Sequence, residues 1–154
     1  MTSANVFKYE NRLAKTVVNR GGMSRLEALK SAHAAVEEVR EPTLAEIDAS
    51  LREIYAIAEA LKGGGFDDEP LRQMYLCANR VVAMGGVFGL DELGAAGYSL
   101  CELVSRFQVA ERYDPKLVQV YVDGLRLLRH PGDHDPVIRA QVLEGLRKVA
   151  VSVA

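Results

Sequence analysis

Between Thr43 and Gly65 the apolar residues Leu44, Ile47, Leu51, Ile54, Ile57 and Leu61 recur at intervals of three and four, until Gly63, Gly64 and Gly65 break the pattern. Successive side chains of an α-helix turn by about 100°, so this spacing gathers the apolar groups on one face. The glycines then stop the helix, and Thr43, just after Glu41 and Pro42, is placed to cap its start. The same signature recurs along the chain. An earlier helix starts at Ser24, where Glu27 three residues on completes a capping box, and carries Leu26, Leu29, Ala32, Val36 and Val39 as its stripe. A third helix is predicted from near Asp68 to Met84, a fourth from Leu90 to Phe107, a fifth from Asp114 to Arg129 and a sixth from Asp135 to Ala150. Asp114 and Asp135 each precede a proline and read as N-caps. Nothing reads as a strand. Short Gly, Pro and Asp connections favour antiparallel neighbours. The expected fold is therefore all-α: an antiparallel up-and-down four-helix bundle of helices two to five, with helices one and six packed around it. The absence of a fixed repeat argues against a solenoid.

A chain of 154 residues is large enough to bury a core without disulfides or a metal. Its hydrophobic content of 49% and net charge of −2 exclude a disordered tail and give no electrostatic reason to expect nucleic acid as a partner. The longest apolar run, "VVAMGGVFGL", is too short and too rich in glycine to span a bilayer, so a cytoplasmic protein without a membrane partner is expected. Residues 1–22 differ from the rest: Lys8, Arg12, Lys15 and Arg20 stand against the single acid Glu10, and the segment closes on Gly21 and Gly22. It reads as a basic arm preceding a bundle over 23–152. Cys77 and Cys101 make no metal-binding or redox spacing and read as buried free thiols.

The third helix has an unusual second face. Met74, Cys77, Ala78 and Val81 form its core stripe, while the opposite side carries Arg72, Leu76, Asn79 and Ala83, with Tyr75 and Val82 at the edge. That outward side is apolar for a solvated surface. The helix ends in Gly85 and Gly86, small residues that let another backbone come close.

The string "ANRVVAMGGVFGLDELGAAGYSLCEL" resembles the segment of histidine-containing phosphotransfer (HPt) domains in which Ala-His-x-x-Lys/Arg-Gly is followed by small residues, Phe-Gly and a leucine-patterned helix. The pair Phe88-Gly89 fixes the register. Asn79 then falls where the resemblance implies the phosphorylated histidine, Val82 where it implies a lysine or arginine, and Ala83 where it implies a glycine. "ENRLAK", "GGMSRLEAL" and "YDPKLVQVYVDGLRLL" are similar to stretches of the HPt-like proteins of alphaproteobacterial chemotaxis operons, so the likeness runs from Asn11 to about Val149.

These departures have chemical consequences. Phosphotransfer needs a neutral imidazole nitrogen to attack an aspartyl phosphate while the other nitrogen holds the proton. The amide nitrogen of Asn79 has its lone pair delocalised into the carbonyl and does not titrate near neutrality, so it neither attacks nor carries a proton. The missing cation would contribute a charge-assisted contact of about 1.5–3 kcal/mol to the phosphoryl oxygens, and Val82 offers none. Arg80 lies about 100° round the helix from Asn79 and does not replace it. The expectation is a non-catalytic HPt-like protein that binds a response-regulator receiver or a histidine kinase through Arg72, Tyr75, Leu76, Asn79, Arg80, Val82, Ala83 and Gly86. No cofactor or metal is expected, since His130 and His134, with Asp133 and Asp135, read as a turn. Two alternatives stand beside it: a phosphotransferase using another histidine such as His33, and an oligomerising or homodimeric scaffold whose apolar face pairs with itself. The patch would lose its meaning if another helix of the chain, the first or the sixth, covered it.

Overall fold

The computed structural model describes residues 22–152. Apart from Gly22, the basic arm expected over 1–22 lies outside them. The chain divides after Glu38 into two compact units. The first contains α1 (Arg25–Glu38). Its capping box forms as expected: the Ser24 amide donates to Glu27 Oε2 at 2.8 Å, and the Glu27 amide donates to Ser24 Oγ at 3.2 Å. No residue of α1 is buried, and Leu26, Leu29 and Val36 of its stripe are exposed.

The second unit contains α2 (Arg40–Ala60), α3 (Asp68–Gly85), a 3₁₀ turn (Gly86–Phe88), α4 (Asp91–Ala110), α5 (Pro115–Arg129), a second 3₁₀ turn (Pro131–Asp133) and α6 (Pro136–Ser152). Among the described residues there is no strand. One boundary differs from the sequence reading. The second helix starts at Arg40, before Pro42, and Thr43 Oγ1 donates back to Val39 O at 2.7 Å and does not cap. A proline is tolerated there because first-turn amides have no carbonyl to meet. The expected caps at Asp114 and Asp135 form, accepting from the Lys116 and Val137 amides, and Asp67, which the sequence reading did not single out, caps α3 by accepting from the Glu69 amide. Past α2, Gly64 and Gly65 take positive φ angles of 74° and 109°, which side chains with a Cβ rarely adopt.

α2 packs against α3 and α5, α3 against α4, and α4 against α5, so these four helices close a ring. Leu51 and Ile54 of α2, Met74 and Val81 of α3, Leu100 and Phe107 of α4 and Leu125 of α5 fill its interior. α6 flanks the ring against α4 and α5. Paired contacts give helix directions. Gln108 bonds Asp68, and the Cys101 thiol donates to Tyr75 O, so α3 and α4 run antiparallel. Arg139 reaches Glu92 and Arg106 reaches Val151 O, so α6 runs parallel to α4.

The α3–α4 contact is tight because glycine permits it. A methyl on Gly85 would stand 3.1 Å from Gly94 Cα, Gly94 N and Leu90 O, all backbone atoms that cannot swing aside. Gly85→Ala is therefore expected to destabilise the fold by about 1–2 kcal/mol despite alanine's better helix propensity. Gly145, in the middle of α6, has nothing within 4 Å of that position. There, substitution by alanine should stabilise by about 0.5–1 kcal/mol. Urea midpoints shifting in opposite directions would bear this out; two shifts of one sign would not.

Candidate functional site

The outward side of α3 is where the helical wheel puts it. Met74, Cys77, Ala78 and Val81 are buried, while Arg72, Leu76, Asn79, Arg80 and Ala83 are exposed, and Tyr75 and Val82 are half-buried. Gly86, exposed in the 3₁₀ turn, continues the strip beyond the helix end. α6 does not cover this strip: Leu76 retains 38% of its accessible surface, and Asn79 and Ala83 are open.

Arg72 and Val82 are placed by specific neighbours. Arg72 is turned toward the start of its own helix, donating from Nε and Nη2 to the two carboxylate oxygens of Glu69 at 3.2 and 3.1 Å. Arg80 acts on the other flank, where its charge is felt by Glu53 of α2 and by Cys77. Neither arginine therefore stands in for a cation at Val82. Val82 itself is half-buried because it lies over Gly97 of α4: a methyl on that glycine would come within 3.3 Å of Val82 Cγ2 and 3.2 Å of Ala78 O. Gly89 takes φ +74°, which explains a glycine after Phe88 and turns the chain into α4. The Phe88 ring is met by the Arg40 guanidinium, 5.7 Å from its centroid.

The site extends beyond the residues the sequence singled out. Tyr98 of α4 is 59% exposed, and with Tyr75, Cys101, Glu102, Ser105 and Arg106 it lines a hollow of about 350 Å³ beside the α3 face. A weak signal for it was present: in "GAAGYS" a large aromatic follows the small residues that bring α4 against α3. The face is thus a two-helix surface with Leu76 and Tyr98 as exposed large groups.

Neither cysteine beside this surface is set up as a thiolate nucleophile. Burial pushes the Cys77 thiol up to about 12, and the Cys101 thiol to about 11, so both stay protonated at neutral pH. His33 lies exposed on α1, and His130 and His134 lie exposed at the two ends of the second 3₁₀ turn. Among the described residues no group of three or more His, Cys, Asp or Glu side chains is placed to hold a metal ion. None of their helices is long and apolar enough to cross a membrane. Comparison with family models, with curated proteins and with solved structures finds no match for the chain.

Proposed function

We propose that the protein is a non-catalytic, HPt-like signalling protein of the cytoplasm that binds a response-regulator receiver or a histidine kinase through the α3–α4 face without passing phosphate. The observation that carries this reading is the position of Asn79. It sits in the open on α3, with Leu76 and Ala83 within one turn on either side, while Arg72 is engaged by Glu69 and Arg80 lies round the helix on the flank toward Glu53. A face of that composition suits an apolar contact with a polar centre. Stable partners commonly bury about 1,600 Å² in total around a few large anchors, and Leu76, Tyr75 and Tyr98 supply such groups here. The up-and-down connectivity expected from the short loops, with the face on two adjacent helices, is the arrangement in which a receiver would dock beside the phosphotransfer position.

Incubated with an active histidine kinase or a phosphorylated receiver, the protein should acquire no acid-labile phosphate while still being captured by one of them. Stoichiometric labelling would overturn the reading, and the same assay on His33→Ala would then show whether the exposed α1 histidine is the acceptor. Mass measurement in solution separates the homodimeric scaffold, in which the face is occupied by a second copy and no receiver or kinase is captured.

A further inference from the structure

Across the helix ring from that face, α2 and α5 border a cleft of about 320 Å³ lined by Asp48, Arg52, Tyr55, Arg126, Arg129 and His130, with Leu51 behind them. Three guanidinium groups share it with one carboxylate. That carboxylate is already engaged: Arg129 donates side-on to Asp48, Nε to Oδ1 at 2.6 Å and Nη2 to Oδ2 at 3.1 Å. A guanidinium carries five N–H donors, so this grip leaves the Nη1 hydrogens of Arg129 unused by the pair. Asp48 also lies one turn before Arg52 on α2, the spacing at which the two would pair along the helix. Arg129 has taken that partner. Among the described residues Arg52 has no hydrogen bond or ion pair, and it is exposed. Arg126 lies over the Tyr55 ring, 4.7 Å from its centroid, and pairs with Asp123 of its own helix at 4.0 Å.

Arginines in the last turn of α5 oppose the negative end of its dipole, which accounts for the sign of Arg126 and Arg129. It does not account for Arg52, which comes from the middle of α2. With Asp48 pairing Arg129 and Asp123 pairing Arg126 at 4.0 Å, the cleft keeps Arg52 as its uncompensated cation, and N–H donors reach it from two helices. A carboxylate would satisfy one fork. A phosphoryl group carries nearly two charges and three acceptor oxygens in a pyramidal array, and so matches donors arriving from separate directions. Tyr55, its phenol pushed up to about 12 chiefly by burial and hence protonated, supplies a further donor and an aromatic wall.

We infer that this α2–α5 cleft binds a phosphoryl dianion, either as the free ion or as a small ester seated against Tyr55. The test is a titration of the full chain at constant ionic strength with inorganic phosphate, phenyl phosphate, benzoate and chloride, followed by amide chemical shifts. Saturable shifts should fall on residues 48–55 and 126–130 with both phosphates and not with chloride. Tighter binding of phenyl phosphate identifies an ester, and equal binding identifies the free ion. Arg52→Ala should weaken binding by about tenfold or more, with Arg126→Ala as a second variant, while Lys148→Ala on α6 leaves it unchanged. Arg52 is exposed, so its loss leaves the core intact. Shifts that chloride reproduces, that survive Arg52→Ala and Arg126→Ala, or that benzoate produces as strongly as phenyl phosphate overturn the assignment.

Discussion

Replacing Tyr121 with alanine is expected to remove about 4–6 kcal/mol of stability, a large share of the 5–15 kcal/mol that holds a typical domain together. Tyr121 is among the largest fully buried side chains, and it ties three helices at once. Its hydroxyl reaches Leu146 O of α6 at 2.6 Å and Ser99 Oγ of α4 at 2.7 Å. A phenol has a single hydrogen. With that hydrogen on the Leu146 carbonyl, Ser99 must donate to the tyrosine oxygen, so the phenol both donates to α6 and accepts from α4. The expected loss combines the cavity left by an aromatic ring with the loss of the hydroxyl's two buried hydrogen bonds. Tyr121→Phe isolates the second part. It should cost about 1–2 kcal/mol, because Ser99 can turn back to a carbonyl of its own helix. Removing both hydroxyls, with Tyr121→Phe and Ser99→Ala together, should cost less than the sum of the single changes. Urea unfolding with an unchanged slope reads all three. A neutral Tyr121→Phe would mean that the buried bonds contribute nothing to holding α6 in place.

How much of this was legible in the sequence depends on whether the information is periodic or tertiary. The stripes of α2 and α3 were legible because burial repeats at helical spacing: Ile47, Leu51 and Ile54, and Met74, Cys77, Ala78 and Val81, are all buried as the wheel requires. Caps were legible where a side chain meets its own backbone two or three residues on, as at Ser24, Asp114 and Asp135. The start of α2 was not, because a first-turn proline neither ends nor begins a helix and Thr43 had another acceptor within reach. The exposed side of α3 was legible in outline, but the half-burial of Val82 was not, since it depends on Gly97 of the neighbouring helix lacking a side chain. Tyr98 was missed for the same reason: it joins the face only once α4 lies beside α3. The α2–α5 arginine cleft has no local signature at all. Arg52 and Arg129 are far apart in the chain, and what distinguishes them is which of them takes Asp48.

The half-burial of Val82 also decides how the α3–α4 face should be tested. A glutamate at Val82 would press a carboxylate against Gly97 and α4, mixing a folding defect with any loss of binding. Ala83 is the cleaner position, being exposed one turn beyond Asn79. Ala83→Arg should change stability by no more than about 0.5 kcal/mol, because arginine is a good helix former and its charge stays in water. In a complex the same charge would be desolvated without a partner, and binding to the receiver or kinase should fall by about 30-fold or more. Binding that survives Ala83→Arg would place the interface elsewhere. The complementary experiment restores chemistry: Asn79→His supplies the nucleophile and Val82→Lys the cation, the lysine stem lying along α4 while its ammonium reaches solvent. Neither change alone should give labelling at a normal rate, since the histidine lacks a counter-charge for the phosphoryl oxygens and the lysine lacks a nucleophile. Phosphorylation of the double variant alone, by the partner that the unchanged protein binds, would mean that the docking geometry is intact and only the reactive groups have been lost. A folded double variant that stays unlabelled by every kinase and phosphorylated receiver of the same cell would instead separate this face from phosphotransfer, because the nucleophile and the cation would both be present on an exposed helix with no donor able to approach them.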